Sequence, residues 1–191
     1  MLSCAAENVI AKEMIRQGGR SARIQGEVHR AVQDLLTGMD RADITVPMIA
    51  EKAGVTPSTI YRRWGDLADL LADVAVAHMR PISDPDDTGA MKSDLEAFIL
   101  QYAEEMSSKV GRDMLTDVLS GGNTAAIKCC GFTTQHLETL RARAAARGEA
   151  DLDVELAIDL IIAPIVYHIL FGDREPSADY CRGLIARFLK A

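Results

Sequence analysis

Residues 45–64 read TVPMIAEKAGVTPSTIYRRW, and the punctuation of that stretch predicts two short helices joined by a tight turn. Thr45 suits the N-cap of the first helix, Gly54 its end, and Thr56-Pro57 the opening of the second, because the first amides of a helix have no intrahelical partner. Ile49, Ala50, Ala53, Val55 and Ile60 recur at spacings that turn them toward one shared core, which leaves Ser58, Thr59, Tyr61, Arg62 and Arg63 outside the second helix. A helix exposing hydroxyls, a phenol and two guanidiniums suits the DNA major groove. There Arg and hydroxyl groups hold phosphates, while the side chains nearest the helix N-terminus reach base edges.

The same residues carry a family resemblance. From Arg20 to Leu71 the chain resembles the tetracycline-repressor (TetR) family of bacterial transcriptional regulators, through Ala53-Gly54-Val55-Thr56 and Thr59-Ile60-Tyr61 followed by the aromatic Trp64. A weaker similarity covers Leu140 to Phe171, which looks like the end of a regulatory domain of that family. The resemblance implies that Thr45, Thr59 and Arg63 hold phosphates and that Pro57, Ser58, Tyr61 and Arg62 face base edges or thymine methyls. Thr56 belongs to the same surface, and Arg20 and Arg23 are expected to add contacts to the flanking backbone. One departure stands out: where the family usually has a phosphate-binding Lys three residues after the aromatic, this chain has Leu67. Trp64 itself, by its spacing from Ile60, is expected to close the small domain's core.

Composition agrees with a helical globular protein. Of 191 residues, 48% are hydrophobic and 26% charged, which argues against global disorder. Aromatics make up only 5% and β-branched residues rarely alternate with polar ones, so the fold class is all-α. The net charge of -7 looks wrong for a DNA-binding protein until it is divided along the chain. Residues 16–64 carry eight Lys/Arg against five Asp/Glu, whereas residues 81–191 carry eleven against eighteen. The basic surplus therefore coincides with the proposed DNA module.

Four cysteines, Cys4, Cys129, Cys130 and Cys181, form no C-x-x-C pair, and the cytoplasm is the expected compartment. The opening MLSCAAENVIAKEMIRQGG, broken by Glu7, Lys12 and Glu13, reads as neither signal peptide nor anchor. The longest apolar run, Leu160 to Gly172, contains Pro164 and His168 and falls short of the roughly 20 residues needed to span a bilayer; no membrane role is expected.

Three regions follow: an N-terminal arm (1–19), a helix-turn-helix DNA-binding domain with its linking helix (20–80), and a regulatory and dimerisation domain (81–191). In the arm, residues 3–17 suit a short helix with Val9, Ile10 and Met14 on one side, interrupted by Gly18-Gly19. A second helix to about Leu36 presents Ile24, Val28, Ala31, Val32, Leu35 and Leu36 on one face. Asp66 can cap a further helix reaching about Met79, the element that links the two domains in the family. Arg80 to Ala90, with Pro81, Pro85 and Gly89, reads as loop. Helices are then predicted over 91–108, 112–119, 124–147, 153–171 and 177–189, with Gly111, Gly121-Gly122, Gly148 and Gly172 as stop signals.

The helix 153–171 is apolar almost all round and must be buried on more than one side. Leu156, Leu160 and Pro164, with Leu184, Ile185 and Phe188 of the last helix, are the predicted face for a second copy, and Pro164 is expected to kink its helix. Phe98, Tyr102, Met106, Met114, Phe132 and Tyr167, with His136 and His168, are either plain core or the lining of a cavity for a small-molecule effector. Cys129-Cys130 with His136 invites a metal or redox reading, but adjacent residues diverge by about a hundred degrees on a helix and no fourth ligand is evident, so no metal or cofactor is expected. Neither a phosphate-binding loop nor a spaced nucleophile and base supports an enzyme. The competing class is a helical dimer that keeps the fold and works through protein partners, a reading that Leu67 favours. The reading adopted is a regulator, in function a repressor, that binds a palindromic double-stranded operator as a homodimer and is released by a small molecule.

Overall fold

The computed structural model describes residues 4–172 and 175–191, with side chains from residue 19 onward. Every regular element among the described residues is helical. The chain divides into two compact units, 1–74 and 75–191. That division falls inside a helix rather than in the loop after residue 80.

In the first unit, α1 (Cys4–Gly38) is followed by a 3-10 turn (Arg41–Asp43), α2 (Val46–Ala53), α3 (Pro57–Trp64) and the start of α4 (Leu67–Met79). The expected break at Gly18-Gly19 does not occur: α1 runs through both glycines. A helical glycine costs only about 1 kcal/mol relative to Ala, which the long helix absorbs. The expected face of Val9, Ile10 and Met14 lies outside the described side chains. Val28, Ala31 and Val32 of α1, Ile49 and Ala50 of α2, Ile60 of α3 and Leu70, Leu71 and Val74 of α4 form one buried cluster. Leu36, expected on that face, is exposed at the end of α1. The turn between α2 and α3 depends on Gly54, whose φ of 67° is left-handed. There its amide and that of Val55 close the end of α2 by donating to carbonyls of the last turn, a conformation that a side chain would oppose.

The second unit holds α5 (Met91–Ser107), α6 (Lys109–Ser120), α7 (Asn123–Ala146), α8 (Val154–Ala157), a π turn (Ile158–Ile162), α9 (Ala163–Phe171) and α10 (Ala178–Phe188). Gly111 does not stop a helix. It sits in the first turn of α6, where Ser108 Oγ accepts from its amide, and a Cβ there would collide with Glu105 O and Met106 Cα of α5. Its role is close approach, which lets α6 fold directly back from α5. Leu95, Ile99, Leu137, Leu140, Leu152, Ile161, Ile165 and Cys181 form the fully buried centre.

Pro164 does not interrupt a regular helix. The Ala163 amide donates to Ile158 O in the π turn, and Pro164 thereby falls in the first turn of α9, where its missing N–H and fixed φ are tolerated. The apolar helical segment is also longer than the sequence run suggested. Val154–Phe171 is long and apolar enough, by length and composition alone, to cross a bilayer, and 33% of it is buried inside the fold. Its buried residues Ile161, Ile165 and Ile169 belong to the core of the second unit.

The 81–90 segment is pinned by charge. Arg147 pairs with Asp87 at 3.0 Å, with Asp94 at 2.8 Å and with Glu149, while Arg143 donates to the carbonyls of Pro85 and Asp86. Asp94 is 1% exposed. Burial alone would push its carboxyl up, but the hydroxyl and amide of Thr88 and the Arg147 guanidinium outweigh that and hold it below the ordinary carboxylate value.

Candidate functional site

Two sites emerge, one in each unit. In the first, α3 turns Ile60 fully inward and leaves Pro57, Ser58, Arg62 and Arg63 exposed, with Tyr61 49% exposed. Thr59 is half-buried. Thr56 stands at the N-cap but its hydroxyl makes no cap bond; it lies 2.9 Å from Ser58 Oγ and 3.0 Å from Thr59 Oγ1 instead. Three hydroxyls thus cluster at the start of the helix, where amide dipoles favour an anion. Thr45, exposed at the N-cap of α2, likewise spends no hydroxyl bond on capping. Arg20 and Arg23 are exposed on α1, Arg23 lying 3.5 Å from Glu27.

Arg63 is more committed than its place on an exposed helix suggested. Its guanidinium donates to Ser21 O at 3.0 Å, to Ser21 Oγ at 2.7 Å and to Gln25 Oε1 at 2.9 Å, and stacks 5.2 Å from the Trp64 ring centroid. It ties the end of α3 to α1 near Arg20 and Arg23.

Beneath it is a hub that sequence reading missed. Asp73 Oδ2 accepts from Trp64 Nε1 at 2.8 Å and Gln25 Nε2 at 3.1 Å, and lies 2.9 Å from His29 Nε2. Trp64 therefore packs against the core as expected, with its indole N–H anchored on α4. Leu67 rests against the same core, so the first turn of α4 carries an apolar contact where the family pattern implies a cation. No motif flags Asp73, because Gln25 and His29, on adjacent turns of α1, lie 48 and 44 residues away from it in the chain, and Trp64 belongs to α3.

In the second unit, a cavity of about 530 Å³ is lined by Phe98, Tyr102, Met106, Met114, Phe132 and His136, all expected there, together with Met79, Cys129, Thr133 and the 80–86 segment. Tyr167 and His168 are not part of it. Tyr167 is 61% exposed on α9, and the His168 ring packs edge-on to Tyr167 and Tyr180. Burial, with Cys129 and Cys130 nearby, pushes the Tyr102 phenol up, against a lowering by neighbouring Thr133. Burial pushes the Cys129 thiol up to about 11, aided by Cys130. A thiol so suppressed is a poor nucleophile or metal ligand at neutral pH.

Of the face expected to meet a second copy, Leu184, Ile185 and Phe188 are 3%, 2% and 7% exposed. They are spent in their own unit, because α10 packs against α5 and the π turn. Leu156, Leu160 and Pro164 remain half-buried, and the exposed rings next along that helix are Tyr167 and Phe171, the latter 75% exposed.

Residues 85–188 match the family described as "Tetracyclin repressor-like, C-terminal domain", and residues 38–74 match "Bacterial regulatory proteins, tetR family". The chain belongs to the TetR family. Among its relatives, the HTH-type transcriptional regulator YdeS of Bacillus subtilis (strain 168) is 27% identical over 169 residues, covering 84% of this chain and 85% of that one. AqdR, an HTH-type transcriptional regulator of Rhodococcus erythropolis, is 25% identical over 78% of this chain and 75% of its own. The crystal structure of the TetR family transcription regulator SCO0332 superposes with a TM-score of 0.66 at 21% identity, covering 87% of this chain and 97% of that one. This TetR-family chain is accordingly a helix-turn-helix transcriptional regulator, with α2 and α3 as the motif.

Proposed function

We propose that this TetR-family regulator is a repressor, which binds a palindromic operator as a homodimer and releases it when a small molecule fills the cavity of the second unit. The observation that carries the reading is the outward face of α3, where Ser58, Tyr61 and Arg62 stand exposed beside the hydroxyl cluster of Thr56, Ser58 and Thr59. Pro57, Ser58, Tyr61 and Arg62 read bases; Thr45, Thr59 and Arg63 hold phosphates, with Arg20 and Arg23 on the flanking backbone.

The dimer face runs along α8 and α9 through Leu156, Leu160, Pro164, Tyr167 and Phe171, since an exposed apolar stripe of this kind is rarely left uncovered on a soluble protein. Recognition helices paired by that face would meet half-sites about 34 to 36 Å apart or a multiple of that distance. Effector release needs no contact between ligand and DNA: a ligand preferring one dimer geometry shifts the population by its difference in affinity, typically about 1 to 3 kcal/mol. Selection of bound fragments from genomic DNA tests the reading, with enrichment of one palindrome expected. Light scattering should give twice the chain mass, and Phe171→Glu should reduce it to a single chain. A helical dimer acting through protein partners, which Leu67 favours, would instead enrich no sequence.

A further inference from the structure

The cavity of the second unit is apolar within and acidic at its rim. We infer that it takes an amphiphilic cation, a flat apolar body seated inside with one positive group held at the rim, and that it disfavours carboxylates. This rests on the reading of the cavity as the effector site.

The inward part of the lining is rings and thioethers: Phe98 and Met106 are buried, and Tyr102, Phe132, Met79 and Met114 half-buried. The Phe98 and Tyr102 rings are tilted on one another, centroids 6.1 Å apart at 43°. Such surfaces favour a flat guest, by ring and sulfur contacts added to apolar burial. A cavity of about 530 Å³ holds a bicyclic one with room to spare. Neither the Tyr102 phenol nor the Cys129 thiol supplies an anion inside, because burial pushes both up. A charge carried deep into that lining would lose its hydration without gaining a counter-charge, so the ligand's charge belongs at the rim.

The rim decides the sign of that charge. Its exposed residues include Asp84, Asp86 and Glu105, against Arg80 as the only Lys or Arg in the lining. Glu105 accepts from Gln101 at 2.8 Å. None of the three carboxylates has an ion pair among those found in the described residues. Arg143 holds the carbonyls of Pro85 and Asp86 but does not line the cavity. α4 ends at the same rim, with His78 and Met79 of its last turn in the lining, and the negative end of its dipole acts in the same sense. The end of α5 adds nothing of this kind, because α6 starts directly behind it. A positive group at the rim gains attraction while keeping most of its hydration, whereas a carboxylate there meets like charge.

Equilibrium dialysis of the full chain, without DNA, against 2-naphthylmethylammonium, 2-naphthylmethanol and 2-naphthoate tests this with one ring system and three charges. The ammonium should bind about fivefold tighter than the alcohol, and the carboxylate more weakly than the alcohol. Raising the salt from about 0.05 to about 0.5 M should remove most of the ammonium's advantage, since rim charges are screened. Asp84→Asn, Asp86→Asn and Glu105→Gln combined, all at exposed positions, should bring the ammonium down to the alcohol and raise the carboxylate. Thr133→Trp, which fills the cavity, should weaken ammonium and alcohol together. An ammonium that binds no tighter than the alcohol, keeps its advantage in the triple variant, or still binds to Thr133→Trp overturns the assignment, as does binding by none of the three. Each of those outcomes leaves operator binding unaffected. The expected ranking with operator affinity unmoved by the ammonium supports the ligand class and overturns release by the ligand.

Discussion

The two units differ in the polar groups they leave unpaired. In residues 1–74, Asp73 gathers Trp64, Gln25 and His29 on one carboxylate oxygen, and Arg63 saturates Ser21 and Gln25. In residues 75–191, His136 Nε2 and Ser107 Oγ are buried without a partner, and a cavity lies beside His136. A satisfied network holds one geometry, because each donor loses its partner if any member moves. A shielded nitrogen left without a partner is instead a cost that the fold carries, lowered by any arrangement that pairs it. α3 is thus tied to one arrangement, whereas the second unit combines a satisfied network at Asp94 and Arg147 with polar atoms left unpartnered on α5 and α7.

Removing the hub should give the largest effect. Asp73→Ala strands the indole, amide and imidazole donors and should cost roughly 2 to 3 kcal/mol of the first unit's stability, measured by denaturant unfolding followed at Trp64, the only tryptophan. Unfolding unchanged from wild type would remove the contrast between the units. Next come the two arginines of α3. Arg62→Ala should relax sequence choice by about 1 to 3 kcal/mol at one base pair with stability unchanged. Arg63→Ala should weaken all sequences alike, flatten the salt dependence and also lower the melting temperature, since it loses the ties to Ser21 and Gln25. Equal losses on operator and random DNA for both variants would refute the division of roles.

The second unit should be the acid-sensitive one. Asp94 and Glu149 are held below their ordinary carboxylate values, Asp94 by Thr88 and Arg147 against burial, Glu149 by the Met91 amide and Arg147. A depressed folded pKa contributes stability that is present above the unfolded value, about 4, and is lost as pH falls through the folded one. Melting of the wild type should therefore decline steeply below about pH 4, and Asp94→Asn should melt lower at neutral pH with a shallower acid decline. A parallel decline in both proteins would place the acid response elsewhere. The smallest effect concerns thiols: at pH 7 iodoacetamide should label exposed Cys130 well before Cys129, whose pKa is raised to about 11. Mass spectrometry of peptides would show the order, and equal rates would contradict the burial of Cys129.

Much of the fold was legible in the chain. Thr45, Gly54, Thr56 and Pro57 mark α2 and α3 through backbone needs that act within a few residues. The predicted helices of the second half match within three residues at each end, because hydrophobic period and glycine punctuation are local signals. Gly111 misled for the same reason: a stop signal and a close-approach glycine look alike until Glu105 and Met106 are seen against it. Six cavity residues were found from α5, α6 and α7, whereas Tyr167 and His168 were not separable by period alone.

What the sequence determined by itself was the family, the all-helical class and which side chains of α3 face away from the core, since each follows from spacing along one element. Tertiary structure alone decided which apolar residues were spent inside. Leu184, Ile185 and Phe188 carry the same pattern as an interface, and only the packing of α10 on α5 buries them. It likewise decided that Trp64, Gln25 and His29 meet at Asp73 and that His136 Nε2 has no hydrogen-bond partner, because hydrogen-bond satisfaction depends on groups far apart in the chain.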